Sequence, residues 1–250
     1  MRPVITLLTD FGTADGYVAE VKGVLLSRAP EATIVDVTHD VQPQDVEAAR
    51  LILARVWRRF PMRTIHIVVV DPGVGTERAG LAVESDEHLF VGPDNGVLSP
   101  ALLIADARAV TLAVPHGASA SFHGRDVFAP AAAMLALGAP IDSLGVVALE
   151  PLIRRTPEPR RREDGALSGE VISIDRFGNA ITNLVGLRSG IVEAGGAALP
   201  LRRTYGDVPS GAPIALVGSS GLIEVAVRDG SAARVLHLTR GTTVVFRAMS

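Results

Sequence analysis

Over the first 150 residues, apolar runs alternate with amphipathic segments. Continuous apolar runs are typical of strands buried on both faces, and apolar positions at helical spacing are typical of surface helices. Strands are predicted at 4–10, 33–37, 65–71, 81–85, 89–94 and 109–114, and helices at 17–28, 43–60 and 126–138. This alternation predicts an α/β fold, with an N-terminal, mostly parallel α/β sandwich domain over residues 1–150.

The second part of the chain has a different pattern. Prolines, arginines and acids crowd residues 151–168 without apolar periodicity, which predicts a solvated linker. Short apolar runs between turns follow, at 169–175, 179–185, 213–218, 222–227 and 242–248. Their spacing predicts a smaller C-terminal all-β barrel-like domain over residues 169–250.

Composition narrows the function classes. Aromatic residues make up 4% of the chain and the formal net charge is −3, which argues against a nucleic-acid-binding surface. The absence of cysteine excludes disulfides and thiolate chemistry. No segment has the length of a membrane span or the apolar core of a signal peptide, so no membrane partner and a cytoplasmic location are expected. Lys22 is the only lysine and does not lie in a phosphate loop.

Polar residues stand where buried strands end. Asp10 ends the first predicted strand, and Asp71 ends the third and is followed by Arg78 in "DPGVGTERAG". In open parallel sheets, ligands bind outside the carboxyl ends of the strands, so these acids favour a pocket over solvated turns. Asp94 in "PDNG" is more simply a turn residue, and the pattern leaves the role of Asn95 open.

The stretch "SFHGRD" adds His123 immediately before a predicted helix, with Asp126 as the expected N-cap. His123 is either a pocket group or a helix-entry residue bonded to backbone. A carboxylate–histidine metal site is a competing interpretation, with candidate ligands Asp10, His39, Asp40, Asp71, His123 and Asp126. No established metal-ligand spacing supports it, and the sequence also lacks a nucleophile elbow and a phosphate-loop lysine.

In the C-terminal part, "SIDRFGNAITN" brings Asp175, Phe177, Asn179 and Asn183 close together. A tight turn explains Gly178 and Asn179. Amides beside an aromatic ring also suit a purine, and the local pattern leaves these two interpretations open.

Seven segments taken in order resemble one family, the S-adenosyl-L-methionine (SAM) hydrolases, also called SAM hydroxide adenosyltransferases. They are "LLTDFGTADGYVAEVKGVL", "VDVTHDVQPQDVEAAR", "VVVDPGVGTERAG", "FVGPDNGVL", "SFHGRDVFAPAAA", "IDRFGNAITN" and "GSSGLIEVAV". The resemblance implies an α/β domain followed by a barrel-like domain. It also implies a homotrimer with SAM bound between one subunit's N-terminal domain and a neighbour's C-terminal domain.

The resemblance further implies site residues. The hydrolase branch is marked by an Asp–Arg–His set, here Asp71, Arg78 and His123, which would handle the attacking water. The related SAM-dependent fluorinases and chlorinases carry an aromatic residue in place of this aspartate. The implied substrate-binding residues are Asp10 at the ribose hydroxyls, Phe122 and Phe177 as apolar walls, Asp175 and Asn179 near the methionine end, and Ser219 and Glu224 at the methionine or adenine end. Asn95 is also among the substrate-binding residues, with no particular contact assigned to it.

The implied reaction is in-line attack of an activated water or hydroxide at C5′ of SAM, giving adenosine and L-methionine. The sulfonium already activates its leaving group, so neither a metal nor another cofactor is expected, and SAM is the substrate. Sequence leaves open which of Asp71, Arg78 and His123 accepts the proton. The alternatives are a SAM-dependent halogenase, a non-catalytic SAM- or adenosine-binding protein and, more distantly, a metal-dependent phosphoesterase.

Overall fold

The computed structural model describes residues 2–186 and 189–249. The chain divides into two compact units, with the boundary between Arg155 and Thr156. The stretch predicted as a linker therefore contributes residues to the second unit, including one short strand.

The first unit is built on a seven-stranded sheet in the order β2-β1-β3-β5-β4-β6-β7. Its strands are β1 (Val4–Thr9), β2 (Thr33–Thr38), β3 (Ile65–Val69), β4 (Gly80–Ser85), β5 (His88–Pro93), β6 (Arg108–Leu112) and β7 (Gly145–Val147). Strands β2, β1, β3 and β5 run parallel, and β4, β6 and β7 complete the sheet with antiparallel pairings.

Helices cover both faces of this sheet. They are α1 (Tyr17–Arg28), α2 (Val46–Val56), α3 (Ser99–Leu102) and α4 (Ala129–Ala136), with a 3₁₀ turn at Trp57–Arg59 and another at Ile141–Ser143. One hydrophobic core packs α1 and α4 against β1 and β3, and the other packs α2 and Trp57 against the opposite face. The strands alternate their side chains between these two cores, which explains why they read as unbroken apolar runs.

The helix predicted over 126–138 begins differently. A π-helical turn, Gly124–Phe128, runs directly into α4, and Asp126 lies inside that turn. The prediction that Asp126 caps the helix is therefore wrong. Its carboxylate instead accepts a hydrogen bond from the backbone N–H of Ser119 at 2.8 Å and pairs with Arg125.

The second unit is a barrel closed by seven strands in the order β10-β14-β13-β12-β11-β15-β9, with β9 pairing back to β10 and β8 added beside β9. The strands are β8 (Arg160–Arg161), β9 (Leu167–Ile174), β10 (Ala180–Val185), β11 (Gly190–Ala194), β12 (Ala197–Arg202), β13 (Pro213–Val217), β14 (Leu222–Val227) and β15 (Thr243–Ala248). A 3₁₀ turn, Tyr205–Asp207, and a short helix, α5 (Ala232–Val235), complete it. An apolar core centred on Val171, Leu184 and Phe246 fills the barrel.

The predicted fold class is confirmed, since an α/β unit with a parallel-rich sheet precedes an all-β barrel. None of the helices within residues 2–186 and 189–249 is both long and apolar enough to cross a membrane.

Candidate active site

Two adjacent parallel strands deliver Asp10 and Asp71 to the same edge of the first unit's sheet. In the β1–β3 register, Thr9 lies opposite Val69, so Asp10 and Asp71 follow the strand ends one step apart. Parallel strands expose their carboxyl ends together, which is why such an edge collects polar groups into a crevice. The strand-end prediction for both acids agrees with this geometry.

Arg78 folds back onto Asp71. Its Nε donates to Asp71 Oδ1 at 3.1 Å and its Nη2 donates to Asp71 Oδ2, which makes a bidentate pair. A third donor, Nη1, reaches the Ala79 carbonyl at 2.9 Å. The two charged side chains are only 5% and 9% exposed, so each needs the other to offset its loss of hydration.

His123 joins this pair through one ring nitrogen. Arg78 Nη2 lies 3.1 Å from His123 Nδ1. Because a guanidinium can only donate, Nδ1 must be the acceptor, and the neutral ring carries its proton on Nε2. The contact of His123 with Arg78 therefore leaves an N–H donor on the other side of the ring.

Close approach of two loops brings His123 to Asp71 and Arg78. Gly75 has φ of +76°, and a Cβ atom there would lie 2.3 Å from the Ala120 carbonyl oxygen. Only glycine lets the Asp71–Arg78 loop pack so tightly against the loop before His123. The π-helical turn that begins at Gly124 then aims His123 inward, and such turns are frequent at functional sites.

Burial and charge shift the pKa of two members of this cluster. Burial raises the pKa of the Asp71 carboxyl, although the charge of Arg78 works against that rise. Burial, followed by the positive charge of Arg78, lowers the pKa of His123. The bidentate pairing with Arg78 favours the ionised form of Asp71, and the lowered pKa of His123 favours its neutral form, so the cluster consists of a carboxylate, a guanidinium and a neutral imidazole.

Asn95 lies near this edge, but its side chain is hydrogen-bonded to backbone groups. Its Nδ2 donates to the Val70 carbonyl at 2.9 Å, and its Oδ1 accepts from the N–H of Val97 at 3.1 Å. These bonds hold the strand end immediately before Asp71. They favour a structural role for Asn95 over the substrate contact that the resemblance implies.

Phe122 belongs to an aromatic cluster that the sequence analysis did not identify. Its ring packs edge-on against Phe11 at 5.8 Å and against Tyr17 at 5.3 Å between centroids. Arg125 lies over the Phe122 ring at 5.0 Å. Phe11 and Tyr17 lie on either side of the turn after Asp10. Two aromatic residues beside a strand-end acid are the sequence signal from which this cluster could have been predicted.

The six candidate metal ligands do not converge. Across residues 2–186 and 189–249, no three or more histidine, aspartate or glutamate side chains form a group that could hold a metal ion. His39 contacts Thr9 and Asp36, and Asp126 contacts Arg125.

In the second unit, Asp175 organises the turn between β9 and β10. Its Oδ1 accepts the backbone N–H groups of Phe177 and Asn179, both at 2.9 Å, and its Oδ2 accepts the Asn179 side chain at 3.0 Å. Phe177 projects from this turn with 76% of its surface exposed. Gly178, with φ of +85°, is required because a Cβ there would lie 2.0 Å from Ser231 Oγ.

The two remaining predicted residues, Ser219 and Glu224, follow β13. Ser219 is exposed in the β13–β14 turn, whereas Glu224 on β14 is 9% exposed. The Tyr205 hydroxyl donates to Glu224, and burial together with this bond raises the pKa of Tyr205. Tyr205 lies between residues 186 and 212, where the sequence carries no recognisable motif.

Comparison with known proteins decides the family. The SAM hydroxide adenosyltransferase N-terminal domain model matches residues 5–145, and the C-terminal domain model of the same family matches residues 169–245. This chain belongs to the SAM hydroxide adenosyltransferase family. The resemblance found in the sequence is therefore confirmed.

Individual relatives agree with this membership. A Thermus thermophilus protein named (R)-S-adenosyl-L-methionine hydrolase is 47% identical over 98% of this chain and 99% of its own length. An Actinoplanes protein named fluorinase is 28% identical over 97% of each chain. The crystal structure of a conserved Thermotoga maritima protein matches with a TM-score of 0.88 at 33% identity, over 97% of this chain and 99% of that one.

Proposed function

We propose that this adenosyltransferase-family chain is an enzyme that hydrolyses SAM to adenosine and L-methionine. The observation that carries the proposal is the buried cluster of Asp71, Arg78 and His123 at the carboxyl edge of the sheet. The similarity to a relative named (R)-SAM hydrolase supports it.

In the proposed mechanism, a water oxygen attacks C5′ opposite the sulfur. The O–C5′ bond forms as the C5′–S bond breaks, its electron pair returns to sulfur, and methionine leaves as a neutral thioether. The water proton must go to a base. A cationic sulfonium needs no acid to assist its departure, so alignment and proton removal are the tasks left to the protein.

Asp71 is the proton acceptor in this proposal. His123 carries its proton on Nε2 and would have to give up its bond with Arg78 to accept another. Arg78 has no proton-accepting site. Asp71 is ionised, has lone pairs beyond those that Arg78 uses, and has a raised pKa that strengthens it as a base.

The other two residues have different tasks. Arg78 fixes the orientation of Asp71 and stabilises hydroxide character on the attacking oxygen. The Nε2–H of His123 is the donor that orients this oxygen. We also propose that Asp10 holds the ribose hydroxyls, that Phe122 is an apolar wall, and that Asp175, Phe177, Asn179, Ser219 and Glu224 contribute to substrate binding.

Release of adenosine from SAM tests the activity. We expect purified protein with saturating SAM to form adenosine and methionine in equal amounts, and His123→Ala to lower kcat much more than it weakens SAM binding. Binding of SAM without any turnover would instead indicate a non-catalytic binding protein.

A halogenase is the second candidate, favoured only by the more distant similarity to a fluorinase. The Asp71 carboxylate argues against it, because a negative charge at the nucleophile position repels halide. The same incubation with chloride or fluoride should give no 5′-halo-5′-deoxyadenosine. Its appearance would reverse the ranking.

The homotrimer and the cytoplasmic location expected from the sequence remain part of this proposal. Sedimentation equilibrium of the purified chain tests the first, since a trimer has three times the mass of the 26.1 kDa chain. Subcellular fractionation tests the second.

A further inference from the structure

Beside the proposed site, four polar side chains form a chain of contacts from helix α1 to the end of β1. Lys22 Nζ donates to Asp36 Oδ2 at 2.6 Å. Asp36 Oδ1 lies 3.1 Å from His39 Nε2, and His39 Nδ1 lies 2.8 Å from Thr9 Oγ1. Thr9 immediately precedes Asp10, so the chain ends at a residue of the proposed substrate site.

A one-residue bulge creates this arrangement. Leu7 pairs with Asp36, but the next residue, Leu8, pairs with Thr38. Continuing that register sets His39 opposite Thr9, whereas an unbroken register would set Thr38 there. A slip of one residue also reverses which face a side chain occupies, so the bulge decides that a histidine meets Thr9.

The proton positions follow from the partners. Burial works to raise the pKa of Asp36, but the hydrogen bonds from Lys22 and His39 outweigh it and hold that pKa below its usual value. Asp36 is therefore an anion 3.1 Å from Nε2 of His39, a buried nitrogen for which no hydrogen bond of good geometry is formed within the described residues, so the contact is one of charge and proximity. A proton on Nε2 leaves Nδ1 free to accept from the Thr9 hydroxyl.

The Asp10 loop is fastened to the same histidine by backbone. The Gly12 N–H donates to the His39 carbonyl at 2.8 Å, and the Phe11 N–H donates to Thr9 Oγ1 at 3.3 Å. Asp10 Oδ2 accepts the N–H of Gln44 at 2.7 Å. His39 thus fixes the loop on both sides of Asp10, and it is itself 5% exposed.

We infer that His39 is a positioning residue for substrate binding, which holds Asp10 in place through Thr9 and the Gly12 backbone, with Asp36 and Lys22 fixing its ring. The inference rests on the proposed function, in which Asp10 binds the ribose of SAM. His39 touches no substrate in this account, so its loss weakens binding rather than the chemical step.

The first unit provides a matched control. Three residues earlier on β1, Thr6 Oγ1 bonds to His66 Nδ1, also at 2.8 Å, and both side chains are at most 1% exposed. That pair lies within the sheet and does not touch the loop. Thr9→Val and Thr6→Val therefore each remove one buried hydroxyl of the same kind from the same strand.

The test measures KM and kcat for SAM, SAM affinity by calorimetry, and thermal stability for the variants. We expect Thr9→Val and His39→Ala to raise KM and the dissociation constant for SAM about tenfold, the loss of roughly one hydrogen bond, with kcat changed less than about threefold. Thr6→Val should leave both constants unchanged within about twofold. It should lower thermal stability about as much as Thr9→Val does. His39→Asn, whose side chain still reaches Thr9, should recover part of the affinity.

The outcomes separate two kinds of failure. If the wild type cleaves SAM and the Thr9 and His39 variants keep their affinity, or if Thr6→Val loses as much, the positioning role is overturned while the hydrolase proposal stands. If the wild type neither binds nor cleaves SAM, the proposed function is overturned and the inference with it.

Discussion

The clusters around His66 and His123 each contain a buried histidine, and they differ in whether both ring nitrogens already have hydrogen-bond partners. On β3, His66 is fully buried, with Thr6 on Nδ1 at 2.8 Å and His88 on Nε2 at 3.2 Å. In the other cluster, Arg78 contacts only Nδ1 of His123. Burial is therefore no guide to function here, whereas unused hydrogen-bonding capacity at the carboxyl edge of the sheet is.

Charge separates the clusters as well. His66 stacks on Phe90 with centroids 5.0 Å apart, and burial lowers its pKa to about 3. His123 faces the Asp71–Arg78 ion pair. Neutral partners meet both ring nitrogens of His66, whereas His123 contacts an ion pair through Nδ1 and keeps its Nε2–H for another acceptor.

Among variants that test the difference between the two clusters, Asp71→Asn is expected to have the largest effect on activity. The amide is nearly isosteric but cannot accept the water proton, so kcat should fall about 10²- to 10⁴-fold with a smaller change in KM. Steady-state adenosine release measures it, and His66→Asn is the control, with activity per folded molecule expected near wild type. An Asp71→Asn variant with kcat within threefold of wild type contradicts the base assignment.

Arg78→Lys should have the next largest effect. A lysine keeps the charge but loses the bidentate geometry and the bond to His123, so we expect kcat to fall about 10- to 100-fold. Circular dichroism at the assay temperature checks that the fold persists. Full activity in this variant would show that only the charge matters.

The buried cluster around His66 leads to a prediction of how the stability of the fold depends on pH. The pKa of His66 is lower in the folded chain than the ordinary 6.5, so the folded state binds fewer protons and stability is present above pH 6.5. As pH falls from 6.5 toward 3, this group should remove up to about 1.4 kcal/mol per pH unit from the free energy of unfolding. Urea titrations of wild type and His66→Gln from pH 7 to pH 4 measure the difference. Equal slopes for the two chains would mean that the buried histidine is not responsible.

The smallest effect is expected at Asn95, which lies close to Asp71. Asn95→Ala removes two bonds to backbone and should cost about 1–2 kcal/mol of stability while lowering kcat only a few-fold. Thermal unfolding and adenosine release measure the two quantities. A large rise in KM with unchanged stability would restore the direct substrate contact that the resemblance implies.

The parallel half of the sheet could be predicted from the sequence, because strands buried on both faces appear as unbroken apolar runs. The ends of β1 and β3, and with them Asp10 and Asp71, follow from such runs. The hairpin of β11 and β12 escaped prediction although its Gly195–Gly196 turn is a strong local signal. Short strands on either side did not stand out from the surrounding sequence.

Other features depend on pairings that no local pattern encodes. The contact between His39 and Thr9 requires the register shift in β2, and the π-helical turn displaces Asp126 from the expected capping position. The contact between Arg78 and His123 joins residues 45 positions apart. Family resemblance named this last set, but only coordinates give its hydrogen-bond directions.

The single lysine offers a position for site-specific labelling. Lys22 has a third of its side chain exposed and ends the contact chain that leads to Thr9. A fluorophore attached by amine-directed chemistry would therefore occupy one side-chain position, at the start of the contact chain that leads to the residue before Asp10. Its emission would report ligand arrival without any engineered cysteine.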